Sequence, residues 1–354
     1  MAGKRFTRSG VKYFFKTFLA DTLLVAVIIL SFAYFHHVRP RSMEVQSENV
    51  RPGERVEQPA TVPEQVTAEP TVIVTTATPE PQATATPVPT PTAEPYVKVG
   101  DFSQKFASRF TDGDVYEGYN DNGDYHYYGK NINLTVTKGR YEGCDYYFAD
   151  FYIRDIENLA AGFAHGKTGE RDEVENIADL YGAIAAINGD YYTMRGTGYI
   201  NRNGKWYIQT PFRDICVLYW NGEMKTYAMD AIPDDLTTDP DVYQVWSFGP
   251  LLIDDNGDWM SSFNTDVGPE NPRTVLGYFE PGHYCFVVVE GRVPDSGEGI
   301  RMTNLSKLMV EELGCTAAYN LDGGRTSAMA LNGAVINERE GSGRQCSDVI
   351  MLLK

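Results

Sequence analysis

The chain has 354 residues, of which 48 are acidic and 31 basic, and its net charge at pH 7 is −17. Because so acidic a protein repels phosphate backbones, this balance argues against a nucleic-acid-binding function. Beyond its N-terminal segments the chain is long enough for one large domain or two closely packed halves.

Residues 17–36 are predicted to form an uncleaved transmembrane anchor. The nineteen-residue run TFLADTLLVAVIILSFAYF carries one charge, Asp21, and at helical rise it reaches about 28 Å, close to the hydrocarbon thickness of a bilayer. A cleaved signal peptide would have a shorter apolar core and a small-residue cleavage site, whereas bulky residues follow here. Five basic residues precede the run against two after it, which predicts a cytoplasmic tail at residues 1–16 and an extracellular location for all later residues.

Residues 37–95 are predicted to form a disordered stalk. Within them, residues 51–95 hold ten of the nineteen prolines and no aromatic residue, so they lack the apolar bulk that would offset the entropy of ordering. Residues 1–50 sum to +4 and residues 51–95 to −4. The predicted folded domain, residues 96–354, therefore carries a charge equal to that of the whole chain.

Four Asn-Gly pairs lie between apolar or alternating runs in this domain. Asn-Gly is the strongest short signal for a β-hairpin, because both residues tolerate positive φ. The pattern predicts an α+β fold with a mixed, largely antiparallel sheet, hairpins and a few packed helices. The predicted turns are Asn203-Gly204, Asn221-Gly222, Asn256-Gly257 and Asn332-Gly333.

Two segments have the apolar spacing of amphipathic helices. The first, RDEVENIADLYG, places Val174, Ile177, Ala178 and Leu180 before Gly182. In the second, TNLSKLMVEELG, Thr303 is the predicted N-cap and Gly314 the predicted stop, and the apolar face consists of Leu305, Leu308, Met309 and Leu313.

Each helix is followed by an apolar strand that ends in an acidic residue beside glycine. These motifs are Asn188-Gly189-Asp190 and Asp322-Gly323-Gly324. Rigid strand ends commonly present functional groups to ligands, although a solvated turn would explain either motif taken alone. The repetition favours a functional site.

Four arginines, Arg273, Arg292, Arg325 and Arg344, lie at predicted strand ends or beside the last hairpin. The guanidinium fork matches phosphate or carboxylate oxygens, although an ion pair with a nearby carboxylate would explain each arginine alone. Together with Asp322 and Asp190 they predict an anion pocket. Glycosidases commonly use two carboxyl groups, but with a phosphate leaving group arginines can stabilise the departing charge and the need for an acid falls.

No cofactor is predicted. The chain has no GxSxG, GxxxxGK[ST], HExxH or GxGxxG motif, although the acidic stretches DGDVYEGYNDNGDY and DDNGD leave bound calcium open. The odd number of cysteines allows one or two disulfides or a set of small buried thiols. The five are Cys144, Cys216, Cys285, Cys315 and Cys346.

The segments INGDYY, NPRTVLGYF, VVVEGR and GIRMTNLSKLMVEELGCTAAYNLDGG, with the closing hairpin, resemble the phosphodiester glycosidase family. The resemblance runs from about Tyr146 to Lys354 in the family's order. It implies hydrolysis of a sugar-1-phosphodiester, in which the bond between the anomeric carbon and a phosphate oxygen breaks. The implied substrate is a glycan or an envelope phosphopolymer.

The resemblance also implies roles for individual residues. Asp322 would act on the anomeric centre or on its attacking water, supported by Asn188 and Asp190. The implied substrate and phosphate contacts come from guanidinium groups, hydroxyls and backbone N–H groups, at Arg273, Arg292, Gly323, Gly324, Arg325, Thr326, Ser327 and Arg344.

The sequence departs from the family pattern at five positions. Asp190 stands in place of a glycine and Glu290 in place of an aspartate, while Arg325, Thr326 and Ala328 replace the usual Gly, Ser and Thr. The Arg325 guanidinium would narrow the site or add an anion contact. The altered motif also permits a noncatalytic glycan-binding module, and a structural surface protein is a third interpretation.

Overall fold

The computed structural model describes residues 98–354. The predicted cytoplasmic tail, anchor and stalk, residues 1–95, lie outside this range. Across residues 98–354 no helix has both the length and the apolar character needed to cross a membrane.

The described residues form seventeen strands in three sheets, and each strand pairs antiparallel with its neighbours. Their bounds are β1 Tyr116–Tyr119, β2 Tyr125–Tyr128, β3 Ile132–Tyr141, β4 Cys144–Ile153, β5 Leu159–Phe163, β6 Ala185–Asn188, β7 Gly198–Arg202, β8 Lys205–Thr210, β9 Ile215–Tyr219, β10 Met224–Tyr227, β11 Val242–Trp246, β12 Arg273–Glu280, β13 His283–Val289, β14 Ala317–Asn320, β15 Met329–Leu331, β16 Ala334–Val335 and β17 Asp348–Leu352.

The largest sheet has seven strands in the order β1-β2-β3-β4-β13-β12-β14. A second sheet has the order β10-β9-β11-β7-β8, and a third has the order β16-β15-β6-β17-β5. The strands that lead to the two acidic motifs therefore belong to different sheets, because β6 lies within the third sheet and β14 at an edge of the first.

Helices are few and short. Helix α1 spans Val174–Tyr181, α2 spans Tyr192–Arg195, and α3 spans Met302–Lys307 and continues as one π-helical turn over Leu308–Glu312. Short 3₁₀ turns occupy Ala107–Arg109, Ile156–Asn158, Ala164–Gly166, Met229–Ala231 and Gly324–Thr326.

The three sheets enclose one large apolar core. Phe151 and Phe286 of the first sheet, Leu218 and Trp246 of the second, and Ile187 of the third belong to the same buried cluster. Smaller clusters pack α3 on the outer face of the first sheet and α1 on the outer face of the third. This burial sets the relative position of the strand ends on which the candidate site is built.

The predicted sheet-rich, antiparallel fold with few helices is confirmed. Asn203-Gly204, Asn221-Gly222 and Asn332-Gly333 connect the hairpins β7-β8, β9-β10 and β15-β16. Asn256-Gly257 makes a turn closed by the single bridge between Ile253 and Trp259, so no pair of regular strands flanks it.

Both helices form at the predicted segments, but the predicted burial of Leu180 and the predicted N-cap Thr303 are wrong. Leu180 in α1 is 56% exposed, because the buried face of the helix, formed by Val174, Ile177 and Ala178, does not extend to it. Helix α3 has Arg301, rather than Thr303, at its N-cap, since extended backbone ends there. Gly314 adopts φ +71°, as a helix stop requires.

Candidate active site

A cavity of about 330 Å³ opens where β12 begins and β14 ends. Five arginines and a single carboxylate are among the described residues that line it. The lining residues are Tyr191, Arg195, Phe248, Val267, Asn271, Arg273, Arg292, Asp322, Gly323, Gly324, Arg325 and Arg344. In a chain with net charge −17, this is a local concentration of positive charge.

Asp322 is the carboxylate of this cavity. It is 4% exposed and follows β14 after Leu321. Its backbone is held by the end of β6, because its N–H donates to the Gly189 carbonyl at 3.3 Å and its carbonyl accepts from Asn188 Nδ2 at 2.7 Å. The third sheet thus positions an acid that extends from the first.

Arg344 neutralises Asp322. Its Nη2 donates to Asp322 Oδ2 at 2.6 Å, its Nε donates to Thr326 Oγ1 at 2.5 Å, and its guanidinium lies 4.7 Å from the centre of the Tyr191 ring. Burial raises the pKa of Asp322, while Arg344 and Thr326 oppose that shift by stabilising the carboxylate. The arrangement suits an acid that acts in its ionised form.

Among the described residues, Arg273 is a buried cation held by backbone carbonyls alone. It is 1% exposed, its Nε donates to the Ile300 carbonyl at 3.3 Å, and its Nη2 donates to the Val267 and Pro269 carbonyls. Across residues 98–354, no carboxylate lies within ion-pair distance of it. Burial, with a smaller contribution from Arg292, lowers the pKa of Arg273 to about 10. Such a group is stabilised by an anionic ligand.

Arg292 and Arg325 are exposed residues at the mouth of the cavity. Arg292 pairs loosely with Glu340 at 3.3 Å and with Glu298 at 4.0 Å. The Nη2 of Arg325 donates to the Gly343 carbonyl at 3.1 Å. Both side chains therefore keep donor capacity for a ligand.

The two glycines after Asp322 let the backbone approach β12 closely. A Cβ on Gly323 would lie 2.8 Å from the Pro272 carbonyl oxygen, and Gly324 adopts φ +65°. The Gly324 N–H donates to that same carbonyl at 2.9 Å. The prediction that both N–H groups face an anionic substrate is therefore wrong for Gly324, because its donor is already used within the fold.

Asn188 lies outside the lining and connects the elements around it. Its side chain is fully buried, and besides donating to the Asp322 carbonyl, its Oδ1 accepts from Thr274 Oγ1 at 2.8 Å and from the Ala328 N–H at 3.1 Å. A catalytic contact requires access to the cavity. The geometry instead gives Asn188 the role of a positioning residue.

Asp190 is also outside the lining, in a sealed ion-pair cluster. It accepts from Arg202 Nη2 at 2.9 Å and from the Ser247 N–H, and its own N–H donates to Asp348 Oδ1 at 2.9 Å. Asp348 Oδ2 accepts from Arg202 Nε at 2.6 Å. Burial raises the pKa of Asp190 and raises that of Asp348 to about 6, and Arg202 opposes both shifts.

Thr326 and Ser327 lie behind the lining residues. Both are buried, and the Thr326 hydroxyl accepts from Arg344. Among the described residues, Ser327 Oγ has no hydrogen-bond partner. The predicted contact between these hydroxyls and a substrate stays a prediction.

Sequence reasoning missed several residues of the cavity and of its support. Arg195 at the end of α2 lies 5.0 Å from the Phe248 ring centre, and burial lowers its pKa. Asn271 lines the cavity, and its buried amide oxygen has no partner among the described residues. Asn271 is part of the NPRTVLGYF motif, which was a signal for it, whereas nothing local distinguishes Arg202 or Asp348.

The described residues contain no cluster of three or more His, Cys, Asp or Glu side chains arranged to hold a metal ion. All five cysteines are free and buried, as one of the two interpretations predicted. Cys285 Sγ and Cys315 Sγ lie 3.6 Å apart.

Comparison with known proteins supports the fold and the family resemblance. Residues 181–353 match the family model for phosphodiester glycosidase. The catalytic domain of zebrafish N-acetylglucosamine-1-phosphodiester alpha-N-acetylglucosaminidase, auto-inhibited by its pro-peptide, aligns with TM-score 0.50 and 17% identity over 70% of this chain and 86% of that one. A hypothetical protein from Synechocystis has TM-score 0.44 and 15% identity, over 62% of each chain.

A relative from Bacillus subtilis (strain 168), the SPbeta prophage-derived uncharacterized protein YomE, is 25% identical over 220 residues. The match covers 60% of this chain and 33% of the relative, so the chain spans about a third of that protein's length. The match of residues 181–353 to the phosphodiester glycosidase family model confirms the resemblance found in the sequence motifs.

Proposed function

We propose that this protein hydrolyses a sugar-1-phosphodiester and releases a free sugar and a phosphomonoester. The family supports a glycosidase-type hydrolase. The observation that carries the narrower proposal is the composition of the cavity, in which the described lining has one carboxylate, Asp322, and five arginines.

That composition fits a phosphate leaving group better than a sugar alcohol. A glycosidase that expels an alcohol commonly needs one carboxyl group to protonate the departing oxygen and another to act at the anomeric carbon. Asp190, the second acid of the sequence prediction, is 2% exposed and bound to Arg202. A phosphomonoester leaves as a stable anion, so guanidinium groups can stabilise its developing charge and no second acid is required.

The bond changes then balance as follows. Water adds its oxygen to the anomeric carbon, and the bond from that carbon to the bridging phosphate oxygen breaks with its electron pair on the phosphate. Asp322 either accepts the proton of the attacking water, or first forms a bond to the anomeric carbon that water cleaves in a second step, in which the Asp322 carboxylate is released and the water's proton passes to the phosphomonoester or to solvent. Arg344 holds the Asp322 carboxylate in place for either role, through the 2.6 Å contact.

The phosphate is held at the inner wall. Arg273 supplies a buried positive charge without a carboxylate partner among the described residues, and Arg292 adds a second guanidinium nearer the mouth. Asn271, a lining residue whose amide oxygen has no partner among the described residues, offers an acceptor for a sugar hydroxyl or amide. Tyr191 and Phe248 provide flat surfaces against which a sugar ring packs.

The proposal places this reaction outside the cell. Its support is the apolar run within residues 17–36, the excess of basic residues before it, and the proline-rich stalk after it. Reporter fusions at the two ends of the chain test the orientation: a reporter active only in the cytoplasm should work at the N-terminus alone. A reporter that works in the cytoplasm at the C-terminus would contradict it.

The decisive experiment measures sugar release by the full chain purified in detergent. The substrates are an N-acetylglucosamine-1-phosphodiester, the bond that the name of the zebrafish protein gives, and a sugar-1-phosphate polymer fragment. We expect Asp322→Asn to lower kcat by at least about a thousandfold, because the amide cannot accept a proton or attack the anomeric carbon.

Lys105→Gln is the matched control, since Lys105 pairs with Glu280 at the end of β12 far from Arg273. Equal release by Asp322→Asn and by the unmodified chain would contradict the proposal. Binding without release for every substrate would identify a glycan-binding module instead.

A further inference from the structure

We infer that Arg325 forms a second anion subsite at the mouth of the cavity, so that the preferred substrate carries another negative group beyond the phosphate that is cleaved. This inference rests on the proposed function and narrows it to sugars joined in an anionic chain. It concerns a position where the sequence departs from the family pattern, which has glycine.

Arg344, Arg273 and Arg292 each have a carboxylate partner or a proposed ligand in the cavity, whereas Arg325 has no carboxylate partner among the described residues and no ligand assigned to it. Arg344 is paired with Asp322 at 2.6 Å. Arg273, with Arg292 near it, is assigned to the phosphate that is cleaved. Within residues 98–354, no carboxylate lies within ion-pair distance of Arg325.

The phosphate site at Arg273 and the proposed second anion subsite at Arg325 lie at different depths in the cavity. Arg273 is 1% exposed at the inner wall, whereas Arg325 is an exposed residue at the rim. In the chain Gly323 and Gly324 lie between Asp322 and Arg325, and Arg292 Nη1 would lie 3.8 Å from a Cβ on Gly324. With the cleaved phosphate held at the depth of Arg273 and neutralised by Arg273 and Arg292, the charge of Arg325 at the rim is left for a second anion.

The Arg325 guanidinium is oriented by the fold. Its Nη2 donates to the Gly343 carbonyl at 3.1 Å, and the same nitrogen would lie 3.7 Å from a Cβ on Gly341. A guanidinium has five N–H donors, so this single bond fixes the side chain and leaves donors for a ligand.

The acidic character of the protein makes it notable that Arg325 has no carboxylate partner among the described residues. Glu340 and Glu298 lie in the same region and pair with Arg292 instead. In a chain of net charge −17, an arginine at a cavity mouth without a carboxylate partner in the described structure is suited to an anion that arrives with the substrate. A repeating sugar-1-phosphate chain supplies such an anion on its next unit, and a uronate residue would supply a carboxylate.

The test compares three synthetic substrates on the full chain in detergent. All contain the same sugar-1-phosphodiester, and the second sugar is neutral, carries a methyl phosphodiester, or is a uronate. We expect kcat/KM for the phosphate-bearing substrate to exceed that for the neutral one by about tenfold, the usual size of one charge-assisted contact. Arg325→Gln should reduce this ratio to below about threefold.

Two further variants control the result. Arg325→Lys keeps the charge and should retain most of the ratio, while Lys105→Gln removes a positive charge far from the cavity and should leave the ratio unchanged. Preference for the uronate equal to that for the second phosphate would support a general anion subsite. Equal use of all three substrates, or an unchanged ratio in Arg325→Gln, would overturn the inference.

Binding distinguishes failure of the inference from failure of the proposed function. If no substrate releases sugar, the proposed hydrolysis is wrong, and titration calorimetry with the neutral and phosphate-bearing compounds then decides the subsite. Tenfold tighter binding of the phosphate-bearing compound, lost in Arg325→Gln, would support it. Equal affinities, or no binding of either compound, would overturn it.

Discussion

Arg202 and Arg273 are both fully buried arginines, yet their surroundings differ in one decisive respect. Arg202 lies between Asp190 and Asp348, whereas Arg273 contacts backbone carbonyls and, among the described residues, no carboxylate. Burial alone lowers the pKa of either guanidinium. The two carboxylates reverse that shift for Arg202, and Arg273 keeps it.

The difference separates a charge used within the fold from a charge available to a ligand. Within the cluster of Asp190, Arg202 and Asp348 the charges pair with one another, and the cluster connects β7 of the second sheet with β17 and the segment after β6 of the third. Arg273 lines a cavity and lacks a counter-charge in the described structure. Depth of burial does not predict which arginine binds a substrate, but the position of the nearest carboxylate does.

The largest expected effect comes from opening the sealed cluster. Arg202→Met leaves two buried carboxyl groups without their cation, and we expect the free energy of unfolding to fall by about 3–5 kcal/mol. Urea unfolding of the full chain in detergent measures it. The loss should shrink at about pH 4, where the carboxyl groups become neutral, and a loss under 1 kcal/mol at about pH 7 would contradict the structural role.

Arg273→Met should reduce activity more than stability, in contrast to Arg202→Met. We expect a smaller loss of stability than in Arg202→Met, because no buried carboxylate is left unpaired. The loss in kcat/KM should be about 30- to 150-fold, equivalent to about 2–3 kcal/mol for a charge-assisted contact to phosphate. Stability and steady-state kinetics measured on the same preparation check both parts, and a variant that retains kcat/KM would remove Arg273 from the phosphate site.

Titration of the sealed cluster gives an intermediate effect. The pKa of Asp348 is about 6 in the folded chain against an ordinary value of 3.8, so between these values the folded state binds more protons than the unfolded state. The free energy of unfolding should therefore fall as the pH rises from about 4 to about 6, by an amount on the order of 1–2 kcal/mol.

Asp348→Asn should flatten that slope, because the amide does not titrate and its oxygen can still accept a hydrogen bond. Urea unfolding across this pH range, compared with the unmodified chain, isolates the contribution of this group from that of other carboxyl groups. An equal slope in both proteins would show that Asp348 is not its source.

The smallest effect concerns the hydrogen bond between Thr274 of β12 and Asn188 of β6. Thr274→Val removes one of the two donors to Asn188 Oδ1 while the Ala328 N–H remains, so we expect a loss of about 0.5–1.5 kcal/mol in stability. Because Asn188 positions Asp322, kcat should also fall a fewfold. Thr316→Val, which loses a bond to the Phe279 carbonyl near the far end of β12, should lower stability at most similarly and leave kcat unchanged.

Local patterns were sufficient for much of the fold. Apolar spacing located α1 and α3, and positive φ at both Asn203 and Gly204 is the conformation that their hairpin was predicted to need. Leu180 and Thr303 were misplaced because helix facing and helix start depend on the strands that pack against them.

The candidate site was predictable where a motif keeps its residues together. Asp322, Gly323, Gly324 and Arg325 are consecutive, and all four line the cavity. Asp190 looked equivalent to Asp322, since each follows an apolar strand beside glycine. The two carboxylates were distinguished only by their partners, Arg202 for the first and Arg344 for the second.

The sequence by itself determined the family resemblance, the order of its motifs, the acidic composition of residues 96–354 and most turns, because each depends on residues adjacent in the chain. Tertiary structure alone decided which arginine is neutralised and which faces the cavity. Arg202 lies 146 positions from Asp348, and Asn188 lies 134 positions from Asp322. Charge pairing acts over a few ångströms in space, so its outcome depends on how the sheets bring such distant residues together.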